Sequence, residues 1–186
     1  MWNGMAELLL YERFFMDKLW KRYGLFALLT AVLTAFDQWT KALAYNGLRT
    51  GGPIVIWNGV FELLYSENRG AAFGILQGKH GFFFLVAGAV LVVVLLFLAR
   101  LPWEKRYFPL FACMVLLASG ALGNLIDRAV RGFVVDFFYF KLIDFPIFNV
   151  ADCFVVVSAA CLILLVGFFY KDEELSFLSD KKEKTD

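Results

Sequence analysis

The chain has 186 residues, 61% of them hydrophobic and 19% charged, with mean hydropathy +0.68 and a formal net charge of +1. That apolar share exceeds an ordinary soluble domain's, so the surroundings are lipid. The near-zero charge excludes the one-signed field that nucleic acid or an acidic substrate would require. There is room for one bundle of about four spans, each needing about 20 apolar residues, and not for a second domain.

Residues 1–23 mix Glu7, Glu12 and Asp17 with Arg13, Lys18, Lys21, Arg22 and aromatics, without the short apolar core and small-residue cleavage site of a secretory signal. An amphipathic lead-in helix lying at the interface is expected there, followed by a membrane domain over 24–170. The first span is predicted from about Gly24 to Tyr45, with a polar run from Asp37 to Lys41 near its end.

Ile54 to Trp57 and Val60 to Tyr65, separated by Asn58-Gly59, predict a short hairpin with a two-residue turn. A small sheet on the membrane surface follows from it. Next comes Asn68-Arg69-Gly70-Ala71-Ala72-Phe73-Gly74, where Gly70 permits a tight backbone and Phe73 offers an apolar contact. An extended peptide held by strand addition would suit this region.

The second span, about Phe82 to Ala99, carries no charge and reads as scaffold. The third, about Tyr107 to Ile126, ends in Ser119-Gly120-Ala121-Leu122-Gly123-Asn124, whose small residues admit a close neighbour. The fourth starts near Asn149 and runs to about Tyr170. The remaining tail, 171–186, is charged and is expected to be disordered for lack of anything to bury.

Lysine and arginine crowd before span one, in the short link holding Arg100, Lys105 and Arg106, and after span four at Lys171. Both termini are therefore expected on the cytoplasmic side, with the connections 46–81 and 127–148 outside. That topology gathers Asp37, Lys41, Asn68, Asn124, Asp127, Arg128, Asp136 and Asp152 at one boundary of the bilayer. A carboxylate at such depth costs about 2.5–3.5 kcal/mol on insertion scales, and the sorting of so many polar groups to one side points to a site.

The chain resembles the bacterial lipoprotein signal peptidases, the type II aspartyl signal peptidases. The resemblance is carried by Asp37-Gln38-x-x-Lys41, NRGAAFG from Asn68, GALGNLIDR from Gly120 to Arg128, VVDF around Asp136 and FNVAD from Phe148 to Asp152. It covers roughly residues 24 to 168. Ser119 and Ser158 stand where the family commonly has glycine, which touches packing alone. The resemblance implies Asp136 and Asp152 as a catalytic dyad, with Asn68, Asn124, Arg128 and Asn149 as supporting residues around the substrate. It also implies a lipid-modified prolipoprotein as substrate, cut before the diacylglyceryl cysteine, and a multi-pass enzyme of the bacterial cytoplasmic (inner) membrane with its active site near the outer face.

Two carboxyls held close cannot both ionise easily, so one keeps a proton while the other activates water. Each residue also has a plainer role open to it. Asp152 lies three after Asn149, as in a capping box; Asp136 fits an outward position on a short strand; Asp127 and Arg128 read as a structural ion pair; Asp37 and Lys41 fit an i,i+4 helix pair with a structural or substrate-framing role.

His80 is the sole histidine, so metal or Ser/His chemistry has little material. Cys113, Cys153 and Cys161 fall in predicted spans and suggest no disulfide framework. The competing class is a small transporter or proton pathway using intramembrane aspartates; a third is an assembly or scaffold protein. The reading adopted is an α-helical integral membrane protein, a four-helix bundle with a small extracytoplasmic β-sheet, working as an aspartic endopeptidase. No cofactor or metal is expected, and the expected partners are prolipoprotein substrates and membrane lipid, with the enzyme a monomer.

Overall fold

In a computed structural model, residues 2–70 and 78–178 are described, with side chains from 19 onward apart from His80. Helix α1 (Trp2–Gly51) leads into strands β1 (Ile54–Trp57) and β2 (Phe61–Asn68). Then come α2 (His80–Arg100), α3 (Phe108–Arg131), β3 (Val134–Tyr139) and α4 (Val150–Leu164). Helix α4 continues as a wider π turn over Leu165–Phe169. Among the described residues four helices are long and apolar enough to cross a membrane: Leu19–Gly51, Gly81–Arg100, Lys105–Arg131 and Val150–Phe169.

Helix α3 is the central one, half of its most apolar window being buried against 11–22% for the other three. Lipid is as apolar as leucine, so helices in a bilayer associate through small residues and polar bonds rather than by hiding apolar surface. The α3–α4 contact follows that rule. A Cβ on Gly120 would lie 2.5 Å from the Ala151 carbonyl oxygen and 2.6 Å from a Val155 methyl, and one on Gly123 would overlap the Asp37 carboxylate. Ser119 and Ser158 spend their hydroxyls on the carbonyls of Val115 (2.7 Å) and Cys113 (2.8 Å).

The sheet is antiparallel in the order β1-β2-β3 and caps one end of the bundle. Ala44 and Leu48 of α1 pack with Val135 and Phe137 of β3, and this contact carries α1 past the predicted Tyr45 to Gly51. The hairpin turn differs from the expected two-residue form. Trp57 pairs with Phe61, leaving three loop residues, and Gly59 alone among them takes a positive φ, 73°. Helix α3 likewise outruns its predicted end at Ile126 and stops at Gly132, whose φ of 73° closes the last turn.

At the opposite end, the buried Arg22 donates to the carbonyls of Leu98 (2.6 Å) and Ala99 (3.3 Å), which the end of α2 leaves open. The expected disorder of the tail does not hold for its first part, and residues 179–186 lie outside the described residues. Asp172–Leu178 form a 3₁₀ helix docked on the bundle. Glu174 pairs with Arg106 at 2.7 Å, and Phe177 lies against Phe97 and Tyr107, so the segment has apolar surface to bury after all. Residues 2–18 continue the backbone of α1 without a break.

Candidate active site

The sheet end of the bundle gathers residues from α1, β2, α3, β3 and α4. Asp136 sits mid-strand on β3, opposite Ser66 of β2, and is 2% exposed. One carboxylate oxygen accepts from the Asn149 side-chain amide at 2.6 Å and the other from the Asn68 amide at 2.9 Å. Burial, then the charge of Asp152, push the Asp136 carboxyl up to about 7, against the pull of its two amide donors.

Asp152 occupies the third position of α4. Asn149 and Asp152 form a capping box: the Asn149 side-chain oxygen accepts from the Asp152 backbone N–H at 3.0 Å, and Asp152 accepts from the Asn149 backbone N–H at 3.1 Å. The other Asp152 oxygen accepts from the Asn124 amide at 2.8 Å. Asn149 thus touches both carboxylates, one through its side chain and the other through its backbone. A cap and a place beside Asp136 are one arrangement here, not alternatives.

Behind these residues lies a fully buried ion cluster. Lys41 meets Asp37 at 2.9 Å, Asp127 at 3.5 Å and the Asn124 side-chain oxygen at 2.9 Å. Asp37 accepts from the Ala151 backbone N–H at 2.8 Å and from Gln38, which also donates to the Gly123 carbonyl at 3.0 Å. Asp127 accepts from the Val135 backbone N–H at 3.0 Å and pairs with Arg131 one turn on. Unpaired charges at this depth cost several kcal/mol each, so a closed set is the arrangement a bilayer tolerates.

Arg128 donates to the carbonyls of Gly70 (3.1 Å) and Asn124 (3.3 Å), with its guanidinium 4.2 Å from the centre of the Phe83 ring. Gly70 in turn donates its N–H to the Asn68 side-chain oxygen at 3.0 Å. Below Arg128 and Asn124 an apolar groove of about 200 Å³ runs between α2, α3 and α4, lined by Phe83, Val90, Leu117 and Gly120.

Residues 29–169 match the family described as signal peptidase (SPase) II. The chain belongs to the signal peptidase II family. The lipoprotein signal peptidase of Clostridioides difficile (strain 630) is 44% identical over 147 residues, covering 78% of this chain and 96% of that one. Its counterpart in Anoxybacillus flavithermus is 38% identical over 169 residues, covering 90% and 98%. A bacterial membrane enzyme solved by the in meso method at 2.3 Å superposes with a TM-score of 0.67 at 32% identity, over 87% of this chain and 93% of the other. This member of the signal peptidase II family is therefore a protease and a multi-pass membrane protein.

In this peptidase the predicted residues Asp37, Lys41, Asn68, Gly70, Asn124, Asp127, Arg128, Asp136, Asn149 and Asp152 form one connected set. Phe73 lies outside the described residues. The expected ion pair of Asp127 with Arg128 does not form; Asp127 goes to Lys41 and Arg131, because adjacent helix residues point about 100° apart whereas i and i+4 share a face. Sequence reasoning missed Arg131 and Ala151. Arg131 carries the i,i+4 signal from Asp127, whereas a contact made through the Ala151 backbone has no residue-type signal.

Proposed function

We propose that this peptidase removes the signal peptide from diacylglyceryl-modified prolipoproteins, cutting before the lipidated cysteine with Asp136 and Asp152 as an aspartate dyad. The single observation that carries this reading is Asn149, which donates to Asp136 through its side chain and to Asp152 through its backbone. One carboxylate takes a proton from water as the oxygen adds to the scissile carbonyl carbon, and the other carboxyl gives its proton to the carbonyl oxygen. The resulting gem-diol collapses as the C–N bond breaks. The amine takes the proton that came from water, and a gem-diol hydroxyl restores the proton of the other carboxyl. The dyad titrates as a pair.

The depth of the site suits such a substrate. Diacyl chains hold the modified cysteine at the membrane boundary, and the sheet end of the bundle is where the carboxylates gather. The basic link holding Arg100, Lys105 and Arg106 supports a cytoplasmic position for the opposite end and both termini. The enzyme then faces outward from the bacterial inner membrane and works as a monomer. A proton pathway would need titratable groups through the depth of the bundle, and the buried polar residues between Arg22 and the site are the hydroxyls of Thr30, Thr34, Ser119 and Ser158, counted among the described residues.

The test is cleavage of a lipidated prolipoprotein by purified protein in detergent with chelator present. Wild type cleaves, whereas Asp136→Asn and Asp152→Asn, each with an intact melting transition, lose activity by a factor on the order of 10³. Full activity in either folded variant overturns the dyad.

A further inference from the structure

Lys41 lies fully buried at the centre of the ion cluster, yet nothing in the reaction described above uses it. Its ammonium has three protons and three partners, Asp37, Asp127 and Asn124, so none remains for substrate or for the dyad. The third partner is neutral, and that contact has a directional consequence. A lysine can only donate, so the Asn124 atom it meets is the amide oxygen. The Asn149 side-chain amide donates to the same oxygen at 3.1 Å. The opposite atom of Asn124, its NH₂ group, is thereby turned to Asp152 at 2.8 Å.

We propose that Lys41 is a positioning residue that locks the Asn124 amide with its donor toward Asp152, and so holds the Asp152 carboxylate in the orientation the dyad needs. This rests on the dyad reading above. One Asp152 oxygen already accepts from the Asn149 backbone N–H, and the Asn124 amide donor fixes the other. The charged and titratable groups around Asp152 are Asp37 and Lys41 from α1, Asp127, Arg128 and Arg131 from α3, Asp136 from β3 and Cys153 on α4 itself. Among these, Lys41 is joined to Asp152 through a single intervening side chain, Asn124.

Removing Lys41 alone would leave the buried Asp37 without a counter-charge, so the charge-balanced pair Asp37→Asn with Lys41→Met is the informative variant; Asn at 37 still accepts from the Ala151 N–H. Asn124→Leu, which leaves the ion cluster in place, is its companion. Each is assayed as full chain in detergent on a lipidated prolipoprotein across pH, with Asp152→Asn as the dyad control. A carboxylate that loses this donor is free to turn from the water it must meet, so kcat should fall about tenfold in either variant, with KM within about twofold. Combining the two variants should add little to either alone.

An unchanged kcat in a folded charge-balanced variant overturns the assignment. If that variant shows no melting transition, an unchanged kcat in Asn124→Leu does the same. Additive losses in the combination overturn the route through Asn124. Retained cleavage by Asp152→Asn sinks the dyad itself, an outcome separate from all of these.

Discussion

Asp37 and Ala151 stand 114 positions apart and are joined by a 2.8 Å hydrogen bond from the Ala151 backbone N–H to the Asp37 carboxylate. The first N–H groups of a helix have no partner within it. Helix α1 supplies one here, immediately before Asp152, and so fixes how α4 is rotated against the rest of the site. Asp37→Ala leaves that N–H open and Lys41 short of a counter-charge, and should cost about 3–5 kcal/mol. Asp37→Asn keeps the acceptor and should cost less. Detergent melting curves of the two variants make the comparison.

The α3–α4 approach predicts a second ordering. Gly120→Ala drives a methyl into the Ala151 carbonyl and Val155, whereas Gly123→Ala drives one into the Asp37 carboxylate. Both should lower stability by about 1–3 kcal/mol. Gly123→Ala should also depress kcat, because it displaces the group that holds the N-terminus of α4. Melting temperature and single-turnover cleavage separate the two effects.

The raised carboxyl of Asp136 predicts a pH dependence. Its folded-state pKa, about 7, stands above the ordinary carboxyl value of 3.8. Between those values the folded protein binds the proton more tightly than the unfolded chain, so stability falls as pH rises through the window. Under the proposed dyad the loss of that proton should slow cleavage above about pH 7. Melting temperature against pH should show the fall in wild type and a flatter course in Asp136→Asn, and kcat against pH should show an alkaline limb near neutrality.

The docked tail gives a prediction remote from the chemistry. Phe177→Ala removes the ring's contacts with Phe97 and Tyr107 and should cost about 1 kcal/mol. The segment after Lys171 should then be nicked by protease sooner, with prolipoprotein cleavage unchanged. Limited proteolysis beside the activity assay reads both.

Spans were legible because a run of about 20 apolar residues seldom occurs outside a membrane helix. Their ends were less so. For α3 the hydropathy fades at Ile126, and it takes the burial of Asp127 beside Lys41 to show why the helix carries charge past that point to Gly132. The aspartates and asparagines of the site were legible as motifs. Which of them touch was not, since Asn149 can bridge Asp136 and Asp152 only once β3 lies beside the start of α4, where Phe148 bonds to the backbone of Phe137 and Phe138. The docking of Phe177 was hidden for a similar reason, charge being a poor guide to a segment whose one ring finds two others.

Helix α1 is latched at two heights, by Arg22 to the end of α2 and, fifteen residues on, by Asp37 to the start of α4. Between the latches it acts as a ruler. Inserting one residue there would swing Asp37 by about 100° and lift it by about 1.5 Å, out of reach of Ala151. Length in this stretch is thus held as firmly as any side chain of the site, and a homologue could change its letters far more freely than their number.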